Sequence, residues 1–87
     1  MDNFYNGSYQ YIPVIFGSTY NNEVISSMIY LPNAINKTIN LSAVQLSGGA
    51  QPGGDINVIK HKFGFYISHS NTAAFENKMA LVSFTVS

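Results

Sequence analysis

Apolar and polar side chains alternate along much of this 87-residue chain, as they do along a β-strand with one face against a core. The alternation is clearest over residues 63–70, where one face would carry Phe63, Phe65, Ile67 and His69. No stretch of a dozen residues has the i, i+3, i+4, i+7 apolar stripe of an amphipathic helix. The pattern therefore predicts an all-β fold.

Six segments have strand character, and turn-forming residues separate them. These segments are 9–16, 24–31, 38–46, 56–60, 63–70 and 79–87. In the second segment, strict alternation would place Val24, Ser26, Met28 and Tyr30 on one face and Ile25, Ser27, Ile29 and Leu31 on the other. The prediction is a small antiparallel β-sandwich of about six strands, formed by residues 9–87 as a single domain, with 1–8 as an N-terminal tail or linker.

Four local features refine this prediction. Pro13 makes the first segment an edge or bulged strand, because proline has no backbone N–H for the ladder. The apolar parity changes at Ala43 and Val44, which indicates a β-bulge in the third segment. Residues 47–55 contain four Gly and one Pro and predict a flexible loop, whereas 71–77 fit either a loop or one helical turn.

Charge is scarce in this chain, and that scarcity excludes two classes of partner. Charged residues make up 9% of the sequence, four Lys balance four acidic residues, and Arg is absent. Such a chain lacks the basic surface needed for nucleic acid or for an anionic membrane surface, so we expect neither of these partners. Membrane insertion is not expected either, because no segment approaches the roughly 18 consecutive apolar residues of a membrane helix. The absence of Cys excludes a disulfide scaffold and thiolate zinc sites.

No catalytic motif is present, since the sequence has no G-x-S-x-G, no H-E-x-x-H and no Cys nucleophile. Asp55, Asn57 and His61 would share one face of a strand, but this mixed set matches neither a typical zinc nor a typical calcium site. We therefore predict a protein that is not an enzyme, with no catalytic residue, no metal site and no cofactor.

Neutral polar residues replace charge, because Asn, Ser, Thr and Gln together number 27 against eight charged residues. Sugar-binding sites combine an aromatic ring that stacks on C–H faces with planar amides that bind hydroxyl groups. Two segments offer this combination, and the candidate ligand-binding residues are Tyr20, Asn21, Asn22, His69 and Asn71. The alternative is that the Asn residues only form turns, since Asn tolerates left-handed backbone conformations.

Low charge also bears on self-association. A sandwich of this size leaves exposed strand edges, and only the Lys residues and Pro13 are available to protect them. A closed homo-oligomer would cover those edges, and the twelve aromatic residues would supply bulk for its interface. Alternatively, most of the aromatic residues fill the small core.

Four segments, 11–18, 39–44, 64–71 and 80–87, together resemble the C-terminal β-sandwich modules of bacteriophage tail fibres, in a layout similar to H-type lectin domains. The resemblance implies a homotrimer on the virion surface that presents its loops to a cell-surface glycan. H-type lectins usually end in a Trp-containing strand, whereas Phe84 stands near that place here. None of the lectin sugar ligands is carried over to this sequence.

The predicted function is a receptor-binding or carbohydrate-binding module of this tail-fibre type. The alternative is a structural virion or assembly subunit that works only through protein–protein contacts.

Overall fold

The computed structural model describes residues 6–87, and this part of the chain forms seven strands and two short helices. The strands are β1 (Gly7–Ile15), β2 (Val24–Ile25), β3 (Ile29–Tyr30), β4 (Ile39–Leu46), β5 (Ile56–His61), β6 (Gly64–His69) and β7 (Met79–Val86). A 3₁₀ helix spans Ala34–Asn36, and a single α-helical turn, α1, spans Thr72–Phe75. No helix within residues 6–87 is long and apolar enough to cross a membrane.

Two antiparallel sheets pack against each other, which confirms the predicted all-β sandwich. In the first sheet β7 lies at the centre, between β1 and β4. In the second sheet β6 lies at the centre, and β5 pairs along its whole length. The short strands β2 and β3 pair with the two ends of the remaining edge of β6.

The irregularities expected in the first sheet are present. The register of β1, an edge strand, shifts between Tyr9 and Ile12, and Tyr11 adopts a positive φ of 59° there. The Tyr11 N–H donates to Ser83 Oγ at 3.2 Å, so it has a partner despite the shift. The register of β4 shifts between Leu41 and Ala43, next to the predicted bulge.

β1 begins two residues before the expected domain start at 9, and residues 1–5 of the predicted tail lie outside the described part.

The second predicted strand, 24–31, is wrong as a single strand, because it divides into β2 and β3 around a bulge. Ser26 Oγ accepts the N–H of Ile67 at 2.9 Å and donates to the Ser27 carbonyl at 2.9 Å, so a side chain replaces a backbone partner in the ladder. The freed Ser27 N–H donates to the Ile15 carbonyl of β1 at 2.8 Å, which ties the two sheets together.

This bulge also reverses the faces predicted for that segment. Val24 and Ser26 are buried as one alternating set, but beyond the bulge the buried residues are Ile29 and Leu31. Met28 and Tyr30, which strict alternation places with Val24, face solvent instead. One extra residue in a strand moves every later side chain to the opposite face.

Aromatic residues form the centre of the core. Phe65 of β6 meets Phe84 of β7 edge to face, with 5.2 Å between ring centroids, and this contact joins the two sheets. Phe16 packs on Phe75 of α1 at 5.1 Å between centroids. All four side chains are almost completely buried, but they are only four of the ten aromatic residues within residues 6–87, since Tyr9 and Tyr66 are half-buried and the other four are exposed. Phe63 is half exposed because it lies in the turn between β5 and β6.

Candidate functional site

A polar cleft lies where three segments of the chain meet at one end of the second sheet. Its volume is about 300 Å³. The turn before β2, the start of β5 and the end of β6 supply its walls. The lining residues are Asn21, Asn22, Glu23, Asp55, Ile56, Asn57, Ser68 and Ser70.

The first wall is a tight two-residue turn. The Tyr20 N–H donates to the Glu23 carbonyl at 2.9 Å, and the Glu23 N–H donates to the Tyr20 carbonyl at 3.2 Å. Asn21 and Asn22 occupy the two central positions with φ values of 52° and 64°. Two successive positive φ values define a type I′ hairpin turn, a conformation that Asn tolerates well. Both Asn residues therefore form the turn and also line the cleft.

The second wall comes from the register of β5 against β6. Asn57 lies directly opposite Ser68, so both side chains are on the outer face of the sheet. Just before β5, the Asp55 N–H donates to Ser70 Oγ at 2.8 Å, and the Ser70 N–H donates to the Asp55 carbonyl at 3.0 Å. These two bonds hold the start of β5 against the end of β6 and leave the Asp55 carboxylate at the cleft.

The electrostatic character of the cleft is weakly acidic. Glu23 and Asp55 bring two carboxylates, whereas no Lys or His of residues 6–87 lines the walls. Three amides and two hydroxyl groups provide the remaining polar contacts, as both donors and acceptors. Within the described residues, no group of three or more His, Cys, Asp or Glu side chains is placed to hold a metal ion. The cleft therefore suits a ligand that is uncharged or carries a positive charge.

His69 lies behind the cleft and inside the core, with none of its surface exposed. Its ring packs on Phe75 at 4.3 Å between centroids, and Nδ1 accepts the Asn71 N–H at 3.0 Å. A neutral ring that accepts at Nδ1 carries its proton on Nε2, and this buried atom has no hydrogen-bond partner. Burial lowers the pKa of His69 below its usual value, although the nearby Asp55 carboxylate partly opposes this.

Asn71 uses both ends of its amide within the fold. Oδ1 accepts the Ala74 N–H at 3.2 Å and caps the start of α1, while Nδ2 donates to the Gly53 carbonyl at 2.8 Å. The backbone of Gly54, the next residue, lies so close to the His69 ring that a Cβ on Gly54 would be 2.8 Å from His69 Cε1. His69 and Asn71 together anchor the 47–55 loop, which delivers Asp55 to the cleft.

The predicted ligand-binding residues thus occupy different places. Asn21 and Asn22 line the cleft, and Tyr20 stands beside them with 75% of its surface exposed. His69 and Asn71 support the cleft from behind, and a direct ligand contact by either residue stays a prediction. The sequence reasoning did not select Asn57 or Ser68, although pairing the alternating segments 56–60 and 63–70 as a hairpin would have placed them side by side.

Comparisons with known proteins returned no match. No protein-family model fits the chain, and searches of curated proteins and of solved structures found nothing similar.

Proposed function

We propose that this domain is a non-enzymatic carbohydrate-binding module and that the polar cleft is its ligand site. The observation that carries the proposal is the convergence of three amides and two hydroxyl groups beside an exposed tyrosine. Amides bind adjacent sugar hydroxyls through short hydrogen bonds, and a tyrosine ring stacks on the C–H face of a pyranose. The cleft volume, about 300 Å³, falls within the range of small-ligand sites.

The wider biological role in this proposal is receptor binding on a virion surface. Its support is the resemblance to tail-fibre modules, together with a net charge of zero and few residues that protect strand edges. In this role the chain forms a homo-oligomer, with a trimer expected for a fibre tip, and each copy presents its cleft to a cell-surface glycan.

A structural assembly subunit is the second candidate function. The observation that favours it is a set of solvent-exposed apolar side chains on the outer face of the second sheet, which suits a protein partner better than a sugar. In that case binding to other protein chains is the whole function, and the cleft is only a surface depression.

A glycan array probed with the purified chain, followed by titration calorimetry on each positive glycan, tests the first candidate. Asn22→Gly removes one cleft amide and preserves the turn, because glycine adopts a φ of 64° without strain. Asn33→Gly is the matched control, since Asn33 has a φ of 63° and lies outside the cleft. We expect Asn22→Gly to weaken binding about tenfold, the effect of one lost hydrogen bond, and Asn33→Gly to leave it unchanged.

Two results would contradict the carbohydrate proposal. One is an array without any glycan bound more tightly than about 1 mM. The other is a bound glycan whose affinity does not change in Asn22→Gly, in Asn57→Ala or in Tyr20→Ala, because the ligand would then lie elsewhere.

A further inference from the structure

All three strand positions of the second sheet contribute apolar side chains to its outer face, on which the polar residues Asn57, Ser68 and His61 also lie. On β6 and β5, Tyr66 lies directly opposite Ile59. On the other edge of β6, Tyr30 lies opposite Gly64, and Met28 Cγ comes within 2.8 Å of the position that a Gly64 Cβ would take. Because opposite residues share a face, these side chains form one continuous surface. The apolar face, as we call it, consists of Ile25, Met28, Tyr30, Ile59, Phe63 and Tyr66.

The apolar face exposes a large area for a single patch. Five of its six side chains are exposed by between 38% and 51%, and Tyr66 is partly exposed. These fractions amount to several hundred Å² of accessible surface, the size at which apolar patches on small proteins often mark binding sites. A sheet face exposed in this way is typical of a surface that binds a partner.

Charge indicates which partner fits. None of the six side chains is charged. At the hairpin end, Lys62 Nζ sits 5.0 Å from the Phe63 ring centroid, and His61, opposite Gly64, packs its ring 5.5 Å from that of Phe63. Two copies of this face can therefore meet without opposing like charges, and the net charge of zero adds no repulsion between whole chains. A charged partner, in contrast, would find no complementary group at the centre of the face.

The required area is also available. A stable interface takes about 800 Å² from each partner, roughly one sixth of the 5044 Å² surface of this chain. The outer side of the second sheet supplies much of such an area, and the cleft residues Asn57 and Ser68 lie at the border of this interface. Sheets that meet in this way pack about 10 Å apart with interlocking side chains.

We infer that the apolar face is the surface through which a second copy of this chain binds. This inference does not depend on the carbohydrate proposal, because the apolar face and the cleft share no side chain. It also goes beyond the expected homo-oligomer, since it names the face and the residues that hold the copies together.

Light scattering coupled to size exclusion, repeated from about 1 µM to about 200 µM chain, tests the inference. Ile59→Lys places a charge at the centre of the apolar face, and Tyr30→Lys places one on the strand across β6. Ile15→Lys is the matched control, because Ile15 is 64% exposed on the outer face of the first sheet. We expect the native chain to have a mass of at least twice 9.5 kDa, and both face variants to dissociate about a hundredfold more readily than the control.

Circular dichroism and thermal melts of each variant first establish that it folds. If Ile59→Lys does not fold, Tyr30→Lys and the native chain still decide the outcome. A native chain that stays at 9.5 kDa up to about 200 µM overturns the inference. So does an oligomer that persists in the folded face variants, or one that Ile15→Lys disrupts equally.

Discussion

Replacing Gly64 with alanine should disrupt the pairing of β3 with β6. A Cβ at this position would overlap the Ile29 carbonyl oxygen and would lie 2.8 Å from Met28 Cγ. Met28 is a flexible side chain and can move, but the carbonyl belongs to the backbone of β3 and is held by its pairing with β6. Relief of the overlap therefore requires β3 to shift away from β6, and Ile29, which is buried in the core, must shift with it.

The change in the free energy of unfolding caused by Gly64→Ala is the sum of two opposing effects. Overpacking against a fixed group costs about 3 kcal/mol, the upper end of the usual range, because the neighbour is backbone. Alanine also reduces the conformational freedom of the unfolded chain, which stabilises the protein by about 0.5–1 kcal/mol. The net loss is about 2 kcal/mol, out of a total of about 4–13 kcal/mol expected for 87 residues. For a domain of this size the Tm should fall by about 8–16 °C.

Gly53→Ala is the control for this experiment. A Cβ at Gly53 would meet no atom within 4 Å, and its φ lies outside the positive region. The substitution then acts only by reducing the conformational freedom of the unfolded chain, so Gly53→Ala should be neutral or stabilise the fold by up to about 1 kcal/mol. Urea unfolding followed by circular dichroism, with both variants and the native chain at one concentration, measures the free energies directly.

Equal stability of the two variants would refute the reasoning. It would mean that β3 moves away from β6 at no cost, and that the close approach of Met28 and Ile29 to Gly64 adds nothing to the fold. A loss in Gly64→Ala together with an unchanged Gly53→Ala would confirm it.

Three further predictions concern the residues around the cleft. Asn71→Ala should destabilise the fold by about 1–2 kcal/mol in urea melts, because it removes the cap of α1 and the bond to Gly53. Burial lowers the pKa of His69, so below pH 6.5 the unfolded chain binds more protons than the folded chain. The free energy of unfolding should therefore decrease as the pH is lowered below 6.5, and His69→Gln should reduce this pH dependence. Hydrogen bonds from Thr19 lower the pKa of Glu76, so Glu76→Gln should destabilise at pH 7 and above 4.5, and should lose its effect only as pH falls below 4.5 through the lowered pKa of the folded state, as melts across this range would show.

Much of the fold could be predicted because its signals are local. The alternation over 63–70 identified β6 and its buried face, and the change in parity at Ala43 located the bulge of β4. The division of 24–31 could not be predicted in the same way. Strict alternation over these residues fits a straight strand, and the bulge depends on Ser26 meeting Ile67, a residue 41 positions away.

The candidate site shows the same contrast. The turn at Asn21 and Asn22 could be read from two neighbouring residues, because the left-handed preference of Asn acts on its own backbone. Asp55 and Ser70 are brought together only by the pairing of β5 with β6, which depends on contacts distant in sequence. The alternation placed His69 on the apolar face of its strand with Phe65 and Ile67, but only the tertiary structure shows that Gly54 of the 47–55 loop and Phe75 of α1 cover its ring.

The sequence by itself determined the all-β class, the turn positions and most strand boundaries, because backbone preferences and the two-residue period act over a few neighbouring residues. Only the tertiary structure decided which side chains line the cleft, which residues cover His69, and that Ile25, Met28 and Tyr30 share an outer face with Ile59 and Tyr66. The physical reason is register. A single bulge reverses every side chain beyond it, and its position is set by hydrogen bonds between segments that no local pattern records.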